Sequence, residues 1–193
     1  MQTRKRKGCR LTRSALFSKL HPAVAAGLRP LAEGTASLQE AYEPRGRCFV
    51  CGHAHEGGLR MQSFRSPDGL RSEVTVPDAW CEVPGVLSPG ALISIITCHS
   101  NWQASIALLD RAVLPRPPLL ALTAFSSHFA TTAAQPNAPL RLTSRVTRLR
   151  DRTEPFSVDV AVELRAAPQD GSIGEALITA EASFTKIGAV RSL

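Results

Sequence analysis

Gly90–Arg111 reads GALISIITCHSNWQASIALLDR, the one strong helical pattern downstream of a basic leader. Leu92, Ile95, Ile96, His99, Trp102, Ile106 and Leu109 recur at the three- and four-residue spacing of one helix face. Ala91, Ile93, Ala104, Ala107 and Leu108 spread apolar character round its other sides. A helix this apolar all round is buried over most of its surface. Pro89 suits the first turn, where a missing N–H would have no intrahelical partner anyway. Pro115, Pro117 and Pro118 stop the pattern.

The flanks supply what can bury it. On the N-terminal side, Leu59–Phe64 and Leu70–Val76 read as strands joined by the turn signal Pro67-Asp68-Gly69. Pro77 to Pro84 reads as a loop carrying Trp80. On the C-terminal side come four β-like runs, Leu119–Ala130, Leu140–Leu149, Phe156–Leu164 and Ala176–Ile187. Val158, Val160, Val162 and Leu164 alternate with Asp159, Ala161 and Glu163. Ile178, Ala180, Ala182 and Phe184 alternate with Thr179, Glu181 and Ser183. Period two with one polar face predicts an antiparallel sheet that is wet on one side. Two strands, a long buried helix and four more strands predict an α+β domain. Its curved antiparallel sheet wraps the central helix. Residues 38–193 form this domain and residues 1–37 an N-terminal extension. Residues 33–47 read as a linker with a short helical turn, ended by Pro44 and Gly46.

Charge divides the chain in the same place. Of the 23 Lys and Arg, eight fall in residues 1–32, which contain no acid. The remainder carries 15 basic against 16 acidic residues, a net of −1, so the formal +7 belongs to the leader. A nucleic-acid-binding domain needs a basic face on the fold itself, and this balance argues against one. RNA contact is left only to the basic arm, through phosphates. The leader is rich in Arg, Ala, Leu and Ser, like an organelle transit peptide. Leu16, Phe17, Leu20, Val24 and Leu28 share a helical face there. The mitochondrial matrix is the expected destination ahead of a plastid. A solvated basic tail on a cytoplasmic protein is the alternative. Five cysteines without a repeating spacing suit free thiols in a reducing compartment. No apolar run reaches the ~20 residues of a membrane-spanning helix.

Four short motifs add a resemblance. Cys48-Phe49-Val50-Cys51-Gly52 followed by Gly58-Leu59-Arg60-Met61 resembles the CxxCG…GL opening of PaaI-type hotdog thioesterases. Pro84-Gly85-Val86-Leu87-Ser88-Pro89-Gly90-Ala91-Leu92 resembles their PGVxHGG segment. Thr97-Cys98-His99-Ser100-Asn101-Trp102 resembles a DCHxNW stretch on the central helix, and Leu122-Thr123-Ala124 a VTA strand opening. The likeness spans residues 38–187, with the motifs in order. It implies the hotdog fold, a dimer with its sites at the interface, and acyl-CoA as the ligand class. It also places Asn101, Trp102 and His99 as candidate substrate-binding residues.

The same resemblance locates a catalytic site and its departures. A His or Asn that holds the thioester is Ser88 here. A glycine whose N–H serves the thioester oxygen is Pro89, which has no N–H; the second glycine is kept as Gly90. The acid nine positions on is Thr97, a neutral hydroxyl with no evident base beside it. Loss of one oxyanion donor costs about 10²–10³ in rate, and loss of a general base about 10²–10⁴. The expected protein is therefore a catalytically degenerate thioesterase-like subunit, dimeric or bound to other organelle proteins. A working acyl-CoA thioesterase is the alternative. A module that holds acyl-CoA without cleaving it is a third reading.

Other residues read blandly. His99 lies about 200° round the helix from Thr97 and suits an apolar setting. Cys98 reads as a small buried thiol, and Asp110 as a surface acid. Cys48, Cys51, His53 and His55 would crowd four metal ligands into eight residues, and the resemblance already accounts for the cysteine pair. No metal and no cofactor is expected. Gly57-Gly58 reads as a turn.

Overall fold

The computed structural model describes residues 36–112, 114, 116–130, 134–168, 172 and 174–189. The leader expected to direct import lies outside them. The first element is a short helix, α1 (Leu38–Tyr42). Ser37 and Glu40 cap it reciprocally: Glu40 donates its N–H to Ser37 Oγ at 3.1 Å, and Ser37 donates its own to Glu40 Oε2 at 3.2 Å. Leu38, Ala41 and Tyr42 are buried, and so is Gln39.

Strands β1 (Gln62–Ser66) and β2 (Gly69–Thr75) form the expected hairpin. Gly69 turns it with φ 152°, and a Cβ there would stand 1.9 Å from the Ser144 carbonyl oxygen. A short hairpin, β3 (Cys81–Val83) with β4 (Val86–Leu87), precedes the long helix α2 (Pro89–Ala112). Then come β5 (Pro118–Phe129), β6 (Pro139–Arg150), β7 (Ser157–Ala166) and β8 (Ala176–Ala189).

The large sheet is antiparallel, with strand order β1-β2-β6-β7-β8-β5. Helix α2 packs against β2, β5, β6, β7 and β8. The alternation read from sequence sets the buried face: Leu140 and Leu142 on β6, Val158 to Leu164 on β7, Ile178 to Phe184 on β8. These meet Leu92, Ile95, Ile96, Ile106, Leu108 and Leu109 of α2, all at most 2% exposed. The α+β arrangement is the one expected.

Two details differ from the sequence reading. Leu59–Met61 does not open β1. Leu59 and Met61 donate instead to the carbonyls of Phe49 and Val50, at 3.0 and 2.9 Å. Arg60 between them turns the chain with φ 52°, so the alternation is not that of a strand. The Pro77–Pro84 segment is not all loop: it holds a 3₁₀ turn at Asp78–Trp80, then β3, which turns back through Gly85 at φ 81°. Pieces of two or three residues carry no periodicity to read.

The edge strand β1 is covered rather than left open. Gln39 accepts from the Ser63 N–H at 2.8 Å and donates to the Ser63 hydroxyl at 3.3 Å, so α1 satisfies backbone that the sheet does not. At the far end of α2, Asp110 takes a two-pronged bond from Arg65.

Candidate functional site

Helix α2 presents two faces with different chemistry. One faces the sheet and holds His99, which is fully buried. Its Nδ1 lies 2.9 Å from Ser63 Oγ and its Nε2 3.1 Å from Ser144 Oγ. Ser144 also donates to Gln103 Oε1 at 3.1 Å. Burial pushes the imidazole down to about 4, against a slight upward pull from the Leu70 backbone. A neutral ring satisfies this geometry by donating at one nitrogen and accepting at the other. His99 is thus a polar tie inside the core, joining β1 to β6. This corrects its assignment as substrate-binding. The helical turn that separates it from Thr97 aims it at the sheet, away from the pocket.

The other face looks into a pocket of about 550 Å³. Ser94, Thr97, Cys98, Asn101, Trp102 and Ser105 line it from α2, at the three- and four-residue spacing of a single stripe. Leu119, Leu120 and Leu122 of β5 and Phe184 of β8 form an apolar wall. The loop Cys48–Cys51 and Glu43 close the remaining side. Thr97, Asn101 and Trp102 are therefore brought together on one wall of the pocket. Ser88, Pro89 and Gly90 are not among them. They sit at the start of α2, and eight residues of helix place Pro89 about 12 Å from Thr97 along the axis.

The local bonding at the positions that the resemblance singles out is specific. The Thr97 hydroxyl donates to the carbonyls of Ile93 and Ser94, at 2.9 and 3.2 Å. Its proton is spent on its own helix. Ser88 Oγ accepts the Gly90 N–H at 3.2 Å, as an N-terminal capping side chain does. Pro89 offers no N–H. Asn101 Oδ1 accepts a long bond from Ser105 at 3.5 Å. The Trp102 indole N–H is directed at Cys51 Sγ, 3.4 Å away.

The residues missed by sequence reasoning are the three thiols as a group. The ligand atoms of Cys48, Cys51 and Cys98 lie within 4.8 Å of one another, with Cys48 and Cys98 4.0 Å apart. All four described cysteines are free. A tight turn sets the first two: Gly52 donates to the Cys48 carbonyl at 2.7 Å. A Cβ on Gly52 would come within 2.5 Å of both the Cys48 nitrogen and the Gly46 oxygen. The third thiol comes from α2, next to Thr97. Its spacing to Asn101 and Trp102 puts it on the pocket face, but no local feature points to the loop thiols. His53 and His55 stay outside the cluster.

The thiols share their protons unequally. Hydrogen bonds from the Cys51 and then the Cys98 thiol, helped by the backbone N–H groups of Cys51 and Val50, hold Cys48 far below the ordinary thiol range. Cys51 is pushed up, first by its bond to Cys48, and Cys98 is pushed well up by bonds to Cys48 and Cys51 and by burial. Burial, followed by the Cys48 charge, raises the Glu43 carboxyl across the mouth of the pocket.

Among the described residues, no helix is long and apolar enough to cross a membrane. Compared by sequence, the chain matches no family model and no curated protein. Compared by structure, it is similar to a thioesterase family protein from Silicibacter pomeroyi, with TM-score 0.51 and 14% identity over 68% of this chain and 87% of that one. It is similar to the PaaI protein of the E. coli phenylacetic acid degradation operon, with TM-score 0.51 and 14% identity over 72% and 88%. A thioesterase superfamily protein from Shewanella loihica PV-4 gives TM-score 0.50 and 16% identity over 70% and 97%. With its six-stranded antiparallel sheet packed on one long helix, the chain has the hotdog fold, similar in structure to these thioesterase-family proteins.

Proposed function

We propose that this protein is a hotdog subunit that has lost the hydrolytic chemistry of thioesterases and keeps a pocket of the size an acyl thioester needs. One observation carries this reading: the Thr97 hydroxyl, at the position of the catalytic acid, donates back into its own helix at 2.9 Å. No described Asp or Glu lines the helix side of the pocket, and Glu43 faces it only from the rim. At the oxyanion position Pro89 has no donor, and Ser88 already holds the Gly90 N–H. A site without a base and without an oxyanion donor binds but does not turn over. The pocket, with its leucine and phenylalanine wall, lies in the size range of small-molecule sites, roughly 300–1,000 Å³.

The functional unit is an assembly. Residues 88–90 and Thr97 are too far apart along α2 to act on one group within a single chain, so a shared site needs a second copy or a related partner. Exposed Leu119 and Leu122 on the edge strand β5 supply an apolar surface for that contact. The basic leader directs the subunit to an organelle, the mitochondrial matrix ahead of the plastid. There it serves a protein complex as a structural or acyl-CoA-holding component.

The test is direct. Purified protein is assayed for thiol release from short, aromatic and long acyl-CoAs, and for thermal stabilisation by the same compounds and by CoA. Stabilisation without turnover is the expected result. Robust turnover on any of them would overturn the degenerate reading, and absence of stabilisation would reduce the role to a structural one.

A further inference from the structure

We propose that Cys48, Cys51 and Cys98 together bind one zinc ion, with its fourth coordination position facing the pocket beside Thr97. This does not rest on the thioester reading; it follows from the thiol geometry.

A tetrahedral zinc–thiolate site with Zn–S near 2.3 Å puts its sulfurs about 3.8 Å apart. Cys48 and Cys98 are 4.0 Å apart, and no pair of the three exceeds 4.8 Å. Closing that set onto an ion takes shifts of a few tenths of an ångström to about one. A CxxC redox pair would use only two of the three. Here the third thiol is presented by a different element, fifty residues on, from the rigid body of α2. Convergence of two loop thiols and one helix thiol is what a metal centre needs and a disulfide does not.

The surroundings fit a metal–thiolate centre. The Trp102 indole N–H is directed at Cys51 Sγ, 3.4 Å away. Donors of this kind orient thiolates and spread their charge. The turn that presents Cys48 and Cys51 leaves no room for a side chain at Gly52. Soft thiolates select zinc over hard cations, and the reducing compartment read from the cysteine content keeps them available. Each Zn–S bond that forms releases a proton from a thiol that still carries one. Three thiolates on Zn²⁺ leave a site of net charge −1, with water as the fourth ligand. All three cysteines line the pocket, so that water stands in it. The ion would pin the loop to α2 at the pocket's inner edge.

Full-length protein, purified reduced and without chelators, is analysed for bound metals by mass spectrometry. After zinc removal it is titrated with Co²⁺. The expected result is one zinc per chain, with a sulfur-to-cobalt charge-transfer band and the visible bands of a four-coordinate ion. Cys48→Ser, Cys51→Ser and Cys98→Ser should each lose stoichiometric zinc and the charge-transfer band, while Cys81→Ser, outside the cluster, should keep both. Cys48 is exposed, so Cys48→Ser reads the site even if Cys98→Ser does not fold. Absence of zinc and of the cobalt band in wild-type protein would overturn the proposal. So would a Cys48–Cys51 disulfide found by peptide mapping, a different stoichiometric metal, or an equal loss in Cys81→Ser.

Discussion

Arg65 holds Asp110 by two parallel bonds, Nη1 to Oδ2 and Nη2 to Oδ1, each 2.7 Å long. The pair fastens the last turns of α2 to the edge strand β1, with side chains 19% and 31% exposed. Bidentate, partly buried pairs are among the stronger ionic contacts. Asp110→Ala leaves the guanidinium without its main partner, and its Nε already has none. The expected loss is about 1–3 kcal/mol, read as a lower urea midpoint with unchanged slope. A midpoint within error of wild type would show the pair to be inert.

His99 gives the fold an acid-side weakness. Its folded-state value near 4 lies below its ordinary 6.5 because burial disfavours the imidazolium. The unfolded chain therefore binds more protons between those values. The contribution of this residue is fully present above pH 6.5 and is lost as pH falls through that window toward 4. The loss amounts to about 3 kcal/mol at its full extent, at roughly 1.4 kcal/mol per unit. Denaturant titrations at pH 7, 5.5 and 4.5 should show the decline in wild type. His99→Gln, which cannot titrate, should flatten it relative to wild type, and parallel curves would contradict this assignment.

Substitutions toward the residues of the resembling family test the proposed site assignment. Thr97→Asp supplies an acid facing the pocket, and Pro89→Gly returns an N–H at the head of α2. Each alone should recover little, since base and oxyanion donor act on one transition state. The double change, with Ser88→Asn added, should raise acyl-CoA hydrolysis above the wild-type background by about 10²-fold, the lower bound for one such group. A triple variant that folds, binds ligand and stays inactive would place the family's chemistry elsewhere on this chain.

Assembly is testable at the β5 edge. Leu119 and Leu122 are 49% and 45% exposed on that strand. Light scattering should give a dimer or larger species for the wild type, and Leu122→Glu should shift it toward monomer at equal concentration. A monomer at every concentration, with no partner captured from an organelle extract, would remove the assembly role.

The leader can be tested apart from the fold. Residues 1–45 fused to a fluorescent reporter should reach an organelle. Diffuse cytosolic signal would leave the basic segment as an arm rather than an address.

The fold was legible where the hydrophobic pattern was long. Twenty-two residues of helical spacing and two strictly alternating strands left a single economical arrangement, and the buried faces follow that alternation. The resemblance singled out Thr97, Asn101 and Trp102, but only the folded helix shows that they share one stripe facing a pocket. His99 was misplaced as a ligand contact because its motif neighbours include pocket residues. Its polar partners, Ser63 and Ser144, arrive from strands 36 and 45 positions away in sequence. The thiol cluster was hidden for the same reason. The Cys48–Cys51 spacing is local, but nothing local announces that Cys98 will meet it.

The strand order also fixes when the chain can finish folding. Strand β5 has a single neighbour in the sheet, β8, the last strand in the sequence. Between them lie β6 and β7, and β8 must pair with β7 while receiving β5 on its other side. A chain emerging from the ribosome, or threading N-terminus first through a membrane translocase, holds β5 and its leucines unpaired until its final residues are free. Every such molecule passes through a state with an apolar strand exposed, so its yield in the cell depends on chaperone capacity as well as on the stability of the finished domain.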